Sequence, residues 1–345
     1  MYPEKDPLLL RRDMVRDGSS DSDIRIAKAD GSITPLRRGA FVATTTLKDL
    51  RPEERHLLNV RAHLAAATSA LVVSHQSAAV VHGFAMFAPD LGKVHFTVDR
   101  ESGGRTTKTR HVHANTLTEA DVTVVDGIAV TSADRTVADL LRLLPFEAGV
   151  CVGDAALRAG SATVAGIEEA LARSGKRAAV KARRTLAFCD ARSESVGESR
   201  TRVLLHRAKM PPPLLQIEVR NKRGRFVGRL DLGYAIGVAL EFDGKVKYTK
   251  HAKPGQDPGD VVFAEKVRED EIRRIGWVVL RVTWYDLDHP DEFLARLQEA
   301  LDLNCPGTGG DCDLTRRMQV WVHQGSSMPR LVSGRFGCIG TVWPG

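Results

Sequence analysis

The chain has 345 residues, enough for two to three domains, and its 43% apolar content supports real cores, which excludes a disordered or fibrous protein. It has no run near the roughly 20 apolar residues that span a bilayer, no basic-then-apolar start, and five scattered cysteines without a C-x-x-C. A reduced, cytoplasmic protein is expected.

Residues 7–17 set Leu8, Leu9, Leu10 and Met14 among basic side chains and predict a short amphipathic helix ended by Gly18. Residues 20–29, with Asp21 or Ser22 as cap and Ile24, Ile26 and Ala27 apolar, predict a second. Residues 32–42 read as two short strands around a turn. Two helices followed by a basic ribbon outline a winged helix-turn-helix, whose second helix enters the major groove while the wing meets the backbone. Arg25, Lys28, Arg37 and Arg38 are then the candidate nucleic-acid contacts. Residues 1–60 carry eleven basic and ten acidic side chains, so the module is nearly neutral. A structural or protein-docking role stands beside DNA contact.

Residues 61–190 have an α/β pattern. A strand at 71–73 leads into a helix over 74–83, with Ser74 as cap and Gly83 as stop. Strands are predicted at 94–98 and 122–125, then a helix from Ser132 carrying Asp134, Arg135 and Asp139, then further helices to about residue 188. Residues 190–195 are a plausible hinge. No G-x-S-x-G surrounds Ser74, which argues against a hydrolase nucleophile. His75 and His82 lie about 10 Å apart along one helix, too far for one metal ion, and read as packing or hydrogen-bonding residues.

The net charge of +7 is concentrated. Between residues 173 and 229 there are sixteen Lys and Arg against four acids, an excess of twelve. Such localisation is expected of a phosphate-binding surface, or else of a solvated helical face. Arg183, Arg184, Arg223 and Arg225 are the candidates within it.

From residue 195 the pattern is a helix halted by Pro211, Pro212 and Pro213, then strands at 214–220, 225–233 and 238–243. A helix at about 262–275, a strand at 277–282 and a helix at about 290–302 follow. The tail, 304–345, lacks periodicity and is expected to be poorly ordered. In the third strand Glu241, Asp243 and Lys245 share a face, and Asp231 lies on the polar side of the second. A turn centred on Ile236 makes Asp231 and Glu241 cross-strand partners about 5 Å apart at Cβ. Like charges so placed repel, and a divalent cation resolves the conflict. Mg²⁺ on Asp231 and Glu241 is expected, with Lys245 stabilising charge on phosphate. A hairpin edge whose acids are paired by arginines is the alternative. Ser195 and Glu198 also have the spacing of a capping box.

Asp231, Glu241-x-Asp243-Gly244, Glu198 on the preceding helix, and the stretch from Arg268 to Thr283 resemble the very-short-patch-repair-like endonuclease domain of the PD-(D/E)xK superfamily. The resemblance spans about 195–302. It implies a metal-dependent DNA-nicking fold with Glu198, Asp231, Glu241 and Asp243 at the catalytic site. Asp243 stands where that family has lysine, with Lys245 nearest, and Lys247 and Tyr248 stand where it has histidine.

The N-terminal half, through its helix pair, the stretch 36–42, residues 74–83 and residues 131–139, is similar to AbiEi-type antitoxins of type IV toxin–antitoxin systems. That similarity implies a DNA-binding autorepressor without catalytic residues and a cognate toxin partner. The expected fold class is α/β multidomain. A winged helix-turn-helix (1–60) and an α/β AbiEi-like region (61–190) precede a restriction-endonuclease-like α/β domain (191–303) and an irregular tail (304–345). The function expected is DNA binding with Mg²⁺-dependent endonuclease activity; the alternative is a non-catalytic regulator.

Overall fold

The computed structural model describes residues 7–100, 102–175, 178–221, 223–244 and 258–304, with strands Val320–Val322 and Arg330–Leu331. It is a mixed α/β chain in two units, one of Met1–Ala148 and Gly160–Arg183, the other of Gly149–Ala159 and Arg184–Gly345. Lys245 and most of the tail lie outside the described residues. Among those described, no helix is long and apolar enough to cross a membrane.

The first unit starts with β1 (Leu8–Leu10), α1 (Arg11–Arg16), α2 (Asp21–Ala29), β2 (Ile33–Arg37) and β3 (Ala40–Ala43). Leu8–Leu10 do not extend the first helix as expected. They pair antiparallel with Ala40–Val42, in a sheet of order β1-β3-β2. Three adjacent leucines suit a strand edge as well as a helix, and a partner thirty residues away decides. Ser20 rather than Ser22 or Asp21 caps α2, in a capping box with Asp23. Ile24, Ile33 and Phe41 form the small core, with Leu9, Met14 and Ala27 against it.

After α3 (Thr44–Leu47) comes α4 (Pro52–Leu64), which packs on β1 and β2 and also on the next helix. The boundary expected at residue 60 therefore falls inside a helix that serves both regions. β4 (Val72–Val73), α5 (His75–Val81), β5 (Val94–Asp99), β6 (Arg105–Thr106) and β7 (Arg110–Asn115) follow. A 3-10 turn (Glu119–Asp121), β8 (Val122–Val125), β9 (Ile128–Thr131) and α6 (Ala133–Leu143) continue the unit. The sheet order is β6-β7-β5-β4-β9-β8, with β5 parallel to β7 and β4 parallel to β9. Val73, Val94, Phe96 and Val130 form its core with Leu57 and Val60 of α4. Most of α7 (Phe146–Arg158) belongs to the second unit, α8 (Val164–Arg173) to the first, and α9 (Ala179–Phe188) is divided between them.

The second unit continues with α10 (Val196–Arg207), β10 (Leu214–Arg220), β11 (Phe226–Tyr234) and β12 (Val238–Asp243). It goes on with α11 (Pro258–Arg274), β13 (Val278–Thr283), α12 (Trp284–Asp288) and α13 (Asp291–Asn304). β14 (Val320–Val322) adds to β10, and β15 (Arg330–Leu331) to β14, so part of the tail completes the sheet. The order is β13-β12-β11-β10-β14-β15. β10, β11 and β12 run antiparallel, and β12 and β13 run parallel across the α11 crossover. One apolar cluster joins Leu232, Leu240 and Val282 to Phe293 and Leu297 of α13, and another joins Ile217, Leu230 and Ala239 to Ile272 and Trp277.

Candidate functional site

The β11–β12 register is the one the alternation predicts. Leu232 pairs with Leu240 and Tyr234 with Val238, with the turn closing at Gly237, whose φ of +95° suits glycine. One step further the same register faces Asp231 with Glu241. There the ladder gives way, and Asp231 Oδ2 accepts a hydrogen bond from the Phe242 N–H at 3.2 Å. On the other side of β11, Gln216 lies between the pairs Leu215–Leu232 and Ile217–Leu230, hence opposite Asp231. Arg281 pairs with Glu241 across β13. A row Gln216–Asp231–Glu241–Arg281 thus crosses four strands.

Glu198 reaches this row from α10, which approaches β12 so closely that a Cβ at Gly197 would overlap the Phe242 ring. Ser195 Oγ accepts from the Glu198 N–H at 3.2 Å. The Glu198 carboxylate in return accepts from the Ser195 hydroxyl at 2.9 Å and the Glu194 N–H at 2.8 Å. The Gln216 amide donates to it at 3.2 Å. Glu198 is therefore a helix cap and a neighbour of the carboxylate row at once. Arginines engage the other acids. Arg268 donates to Glu241 at 3.1 Å, and Arg281 to Asp243 at 3.3 Å and to Glu269 at 2.6 Å. Asp231 lies within electrostatic reach of both Glu198 and Glu241, and Glu241 and Asp243 are arginine-paired.

Burial, then the Asp231 carboxylate, raises Glu198 from 4.5 to about 7. Glu241 is also raised, by burial against the opposing pull of Arg268. The folded chain thus holds a proton on Glu198 that the unfolded chain has released, so its contribution to stability falls as pH rises from 4.5 through about 7. Glu198→Gln mimics the protonated acid. It is expected to stabilise the protein at about pH 8 by on the order of 1–3 kcal/mol, a tenfold change in proton affinity being worth about 1.4 kcal/mol. The gain should vanish below about pH 4.5. Melting curves at both ends check this, and a variant less stable at high pH would contradict it.

Of the N-terminal candidates, Arg25, Lys28 and Arg38 are exposed. Arg37 is not a free contact. It is half-buried and donates to the carbonyls of Ala62 at 3.3 Å and His63 at 3.5 Å in the last turn of α4. In the basic stretch, Arg184, Arg223 and Arg225 are exposed, whereas Arg183 pairs with Glu168 at 2.9 Å. Asn221 Oδ1 accepts from the backbone N–H groups of Arg223 and Arg225 and shapes their turn. Part of the charge excess meets acids from outside the stretch: the buried Arg200 and Arg202 pair with Asp288 and Asp154, and Arg173 with Asp121. Arg192, Arg220 and Arg229 pair with Asp190, Glu218 and Glu194, acids that the excess already counts. Lys176, Arg177 and Lys222 lie outside the described residues.

The first unit holds a second polar cluster, which no motif in the sequence announces. β5 and β7 pair in parallel, with His95 opposite His111 and Thr97 opposite His113. His95 Nδ1 lies 3.0 Å from His113 Nε2, and His113 stacks between His75 and His111 with ring centroids 3.8 Å from each. His75, His95 and His113 each offer a ring nitrogen, all within 4.8 Å of one another. Burial lowers His95 to about 4 and His113 to about 3, with neighbouring histidines adding to it, so these rings are neutral near pH 7. Ser74, expected as a cap, makes no side-chain cap bond; its hydroxyl meets His75 Nδ1 at 3.0 Å. His82 donates to the Thr131 carbonyl at 2.8 Å, a hydrogen-bonding role as expected. The signal present in the sequence is the pair His111 and His113, two residues apart on a strand, with His95 on another.

No family model matches the chain. Two proteins of Mycobacterium tuberculosis, uncharacterized protein MT2308 of strain CDC 1551 / Oshkosh and uncharacterized protein Rv2248 of strain ATCC 25618 / H37Rv, are each 28% identical to it over 181 residues. The match covers 52% of this chain and 64% of the length of those relatives. The crystal structure of the RV2827C protein from Mycobacterium tuberculosis aligns with a TM-score of 0.38 at 15% identity, over 62% of this chain and 80% of that one.

Proposed function

We propose that the chain is a DNA-binding regulator of the AbiEi antitoxin type, with a winged N-terminal module and a restriction-endonuclease-like second unit. The carrying observation is the first module. Helix α2 and the β2–β3 ribbon share one small core and leave Arg25, Lys28 and Arg38 exposed together with the turn that follows β2. The order α10, three antiparallel strands, α11 and a parallel strand supports the reading of the second unit. Arginines on Glu241 and Asp243 favour a unit that binds without cutting. A cognate toxin protein is the partner that the antitoxin reading implies.

Titration of labelled duplex at several salt concentrations tests it. Affinity should fall steeply with salt, and replacing Arg25, Lys28 and Arg38 together by Ala should flatten the slope by about 0.9 for each phosphate no longer neutralised. Binding that ignores salt, or a triple variant that binds as wild type does, would retire the proposal. A second reading, metal-dependent cleavage, is favoured by the row Gln216–Asp231–Glu241 with Glu198 beside it. Supercoiled plasmid with Mg²⁺ or Mn²⁺ against EDTA separates the two. Nicking that disappears in Asp231→Asn would establish the nuclease.

A further inference from the structure

The histidine cluster serves neither the carboxylate row nor the DNA-facing cations. We infer that His75, His95 and His113 bind one divalent transition metal of the zinc class, with water in the fourth position. A tetrahedral ion with metal–nitrogen bonds of about 2.0–2.1 Å holds its ligands roughly 3.3 Å apart. The facing nitrogens of His95 and His113 are already 3.0 Å apart, and the His75 ring, now stacked on His113 at 16°, has to turn out of the stack for its nitrogen, within the 4.8 Å span, to share the ion. Three imidazoles select zinc, copper, nickel or iron over Mg²⁺, which takes oxygen ligands.

Two further observations point to a ligand. Thr97 is 1% exposed, sits opposite His113 on the face that carries His95, and its hydroxyl has no hydrogen-bond partner among the described residues. A buried hydroxyl left so costs about 1–3 kcal/mol, and a metal-bound water beside His113 would satisfy it. His75 opens α5 with φ of +53°, a conformation that costs a non-glycine residue about 1–3 kcal/mol and that clusters at functional sites. The turn brings the His75 ring over His113, and the Ser74 hydroxyl on Nδ1 leaves Nε2 as the atom it has to offer. The buried Arg135 acts on His75, but Asp121 and Asp139 offset its charge. Lys93 acts on His95 and His111 and is half-buried.

The full chain, without an affinity tag, is stripped with chelator, equilibrated with Zn²⁺ and assayed for metal content. One zinc per chain is expected. His95→Ala and His113→Ala should each weaken it at least tenfold. His82→Ala, Asp231→Asn and Glu241→Gln should leave it unchanged, which separates this site from the carboxylate row. Mg²⁺ should not compete. In the wild type, Zn²⁺ should shift the nitrogen resonances of three imidazoles and not that of His82, a readout independent of whether a variant folds. Substoichiometric zinc, full retention in the His95 and His113 variants, or shifts confined to other imidazoles would each overturn the inference. None of these outcomes bears on DNA binding.

Discussion

Arg135→Met is expected to cost about 3–5 kcal/mol, the loss that follows when one partner of a buried ion pair is removed. The guanidinium is fully buried, as is Asp121, and Asp139 is 4% exposed. Its Nε donates to both Asp139 oxygens at 3.1 Å, and Nη1 reaches the Thr116 carbonyl at 3.1 Å and Asp121 at 3.2 Å. Methionine keeps much of the volume and leaves two carboxylates in an apolar interior. Arg173 still holds Asp121 at 3.0 Å, so Asp139 bears most of the change. Burial already raises Asp139 against the pull of Arg135, and without that cation it should rise further. The deficit should therefore shrink under mildly acid conditions, and Asp139→Asn in the same chain should recover part of it. Denaturant unfolding gives the value, and a loss below about 1 kcal/mol would show the network to be dispensable.

In the second unit Arg202→Met is expected to cost a similar amount, with a pH dependence that identifies the partner. Arg202 Nη1 donates to Asp154 at 2.8 Å and to the Ser193 hydroxyl at 3.0 Å, and Nη2 donates to the Phe188 carbonyl at 2.7 Å. The guanidinium carbon also lies 4.9 Å from the centre of the Phe188 ring. Even with this cation beside it, burial lifts Asp154 from 3.8 to about 6. The folded state thus binds a proton that the unfolded state has lost, and Asp154 weakens the fold as pH rises from 3.8 through about 6. Without Arg202 that acid should rise higher still. The gap between wild type and variant should therefore be smallest and constant from about pH 4 to about 6, and widen as pH rises above about 6. Melting curves across that range measure it, and Asp154→Asn should rescue the variant at high pH. A gap that does not change with pH would assign the loss to the hydrogen bonds on Ser193 and Phe188 instead.

How much was legible in the sequence depended on the range of the forces involved. Alternation of apolar and polar residues and the glycine turn were enough to set the β11–β12 register, Leu232 with Leu240 and Tyr234 with Val238, and so to bring Asp231 near Glu241. Ser195 and Glu198, three apart, were enough to announce the cap that opens α10. Both rest on contacts within a few residues, where backbone geometry leaves few choices. Charge counting reached less far, because a count says that guanidinium groups are present and not what they meet. Tertiary packing sent Arg37 to the end of α4, buried Arg200 and Arg202 beside Asp288 and Asp154, and set Arg268 on Glu241, which a cation was expected to hold, and Arg281 on the nearby Asp243. It also turned Leu8–Leu10 into a strand through partners at Ala40–Val42. The histidine cluster was furthest from view. His75, His95 and His113 lie eighteen or more residues apart, so no helical or strand period links them. Only the parallel pairing of β5 with β7, and the positive φ that turns His75 over them, bring the three rings together, because long-range strand pairing is settled by the whole sheet and not by any stretch of it.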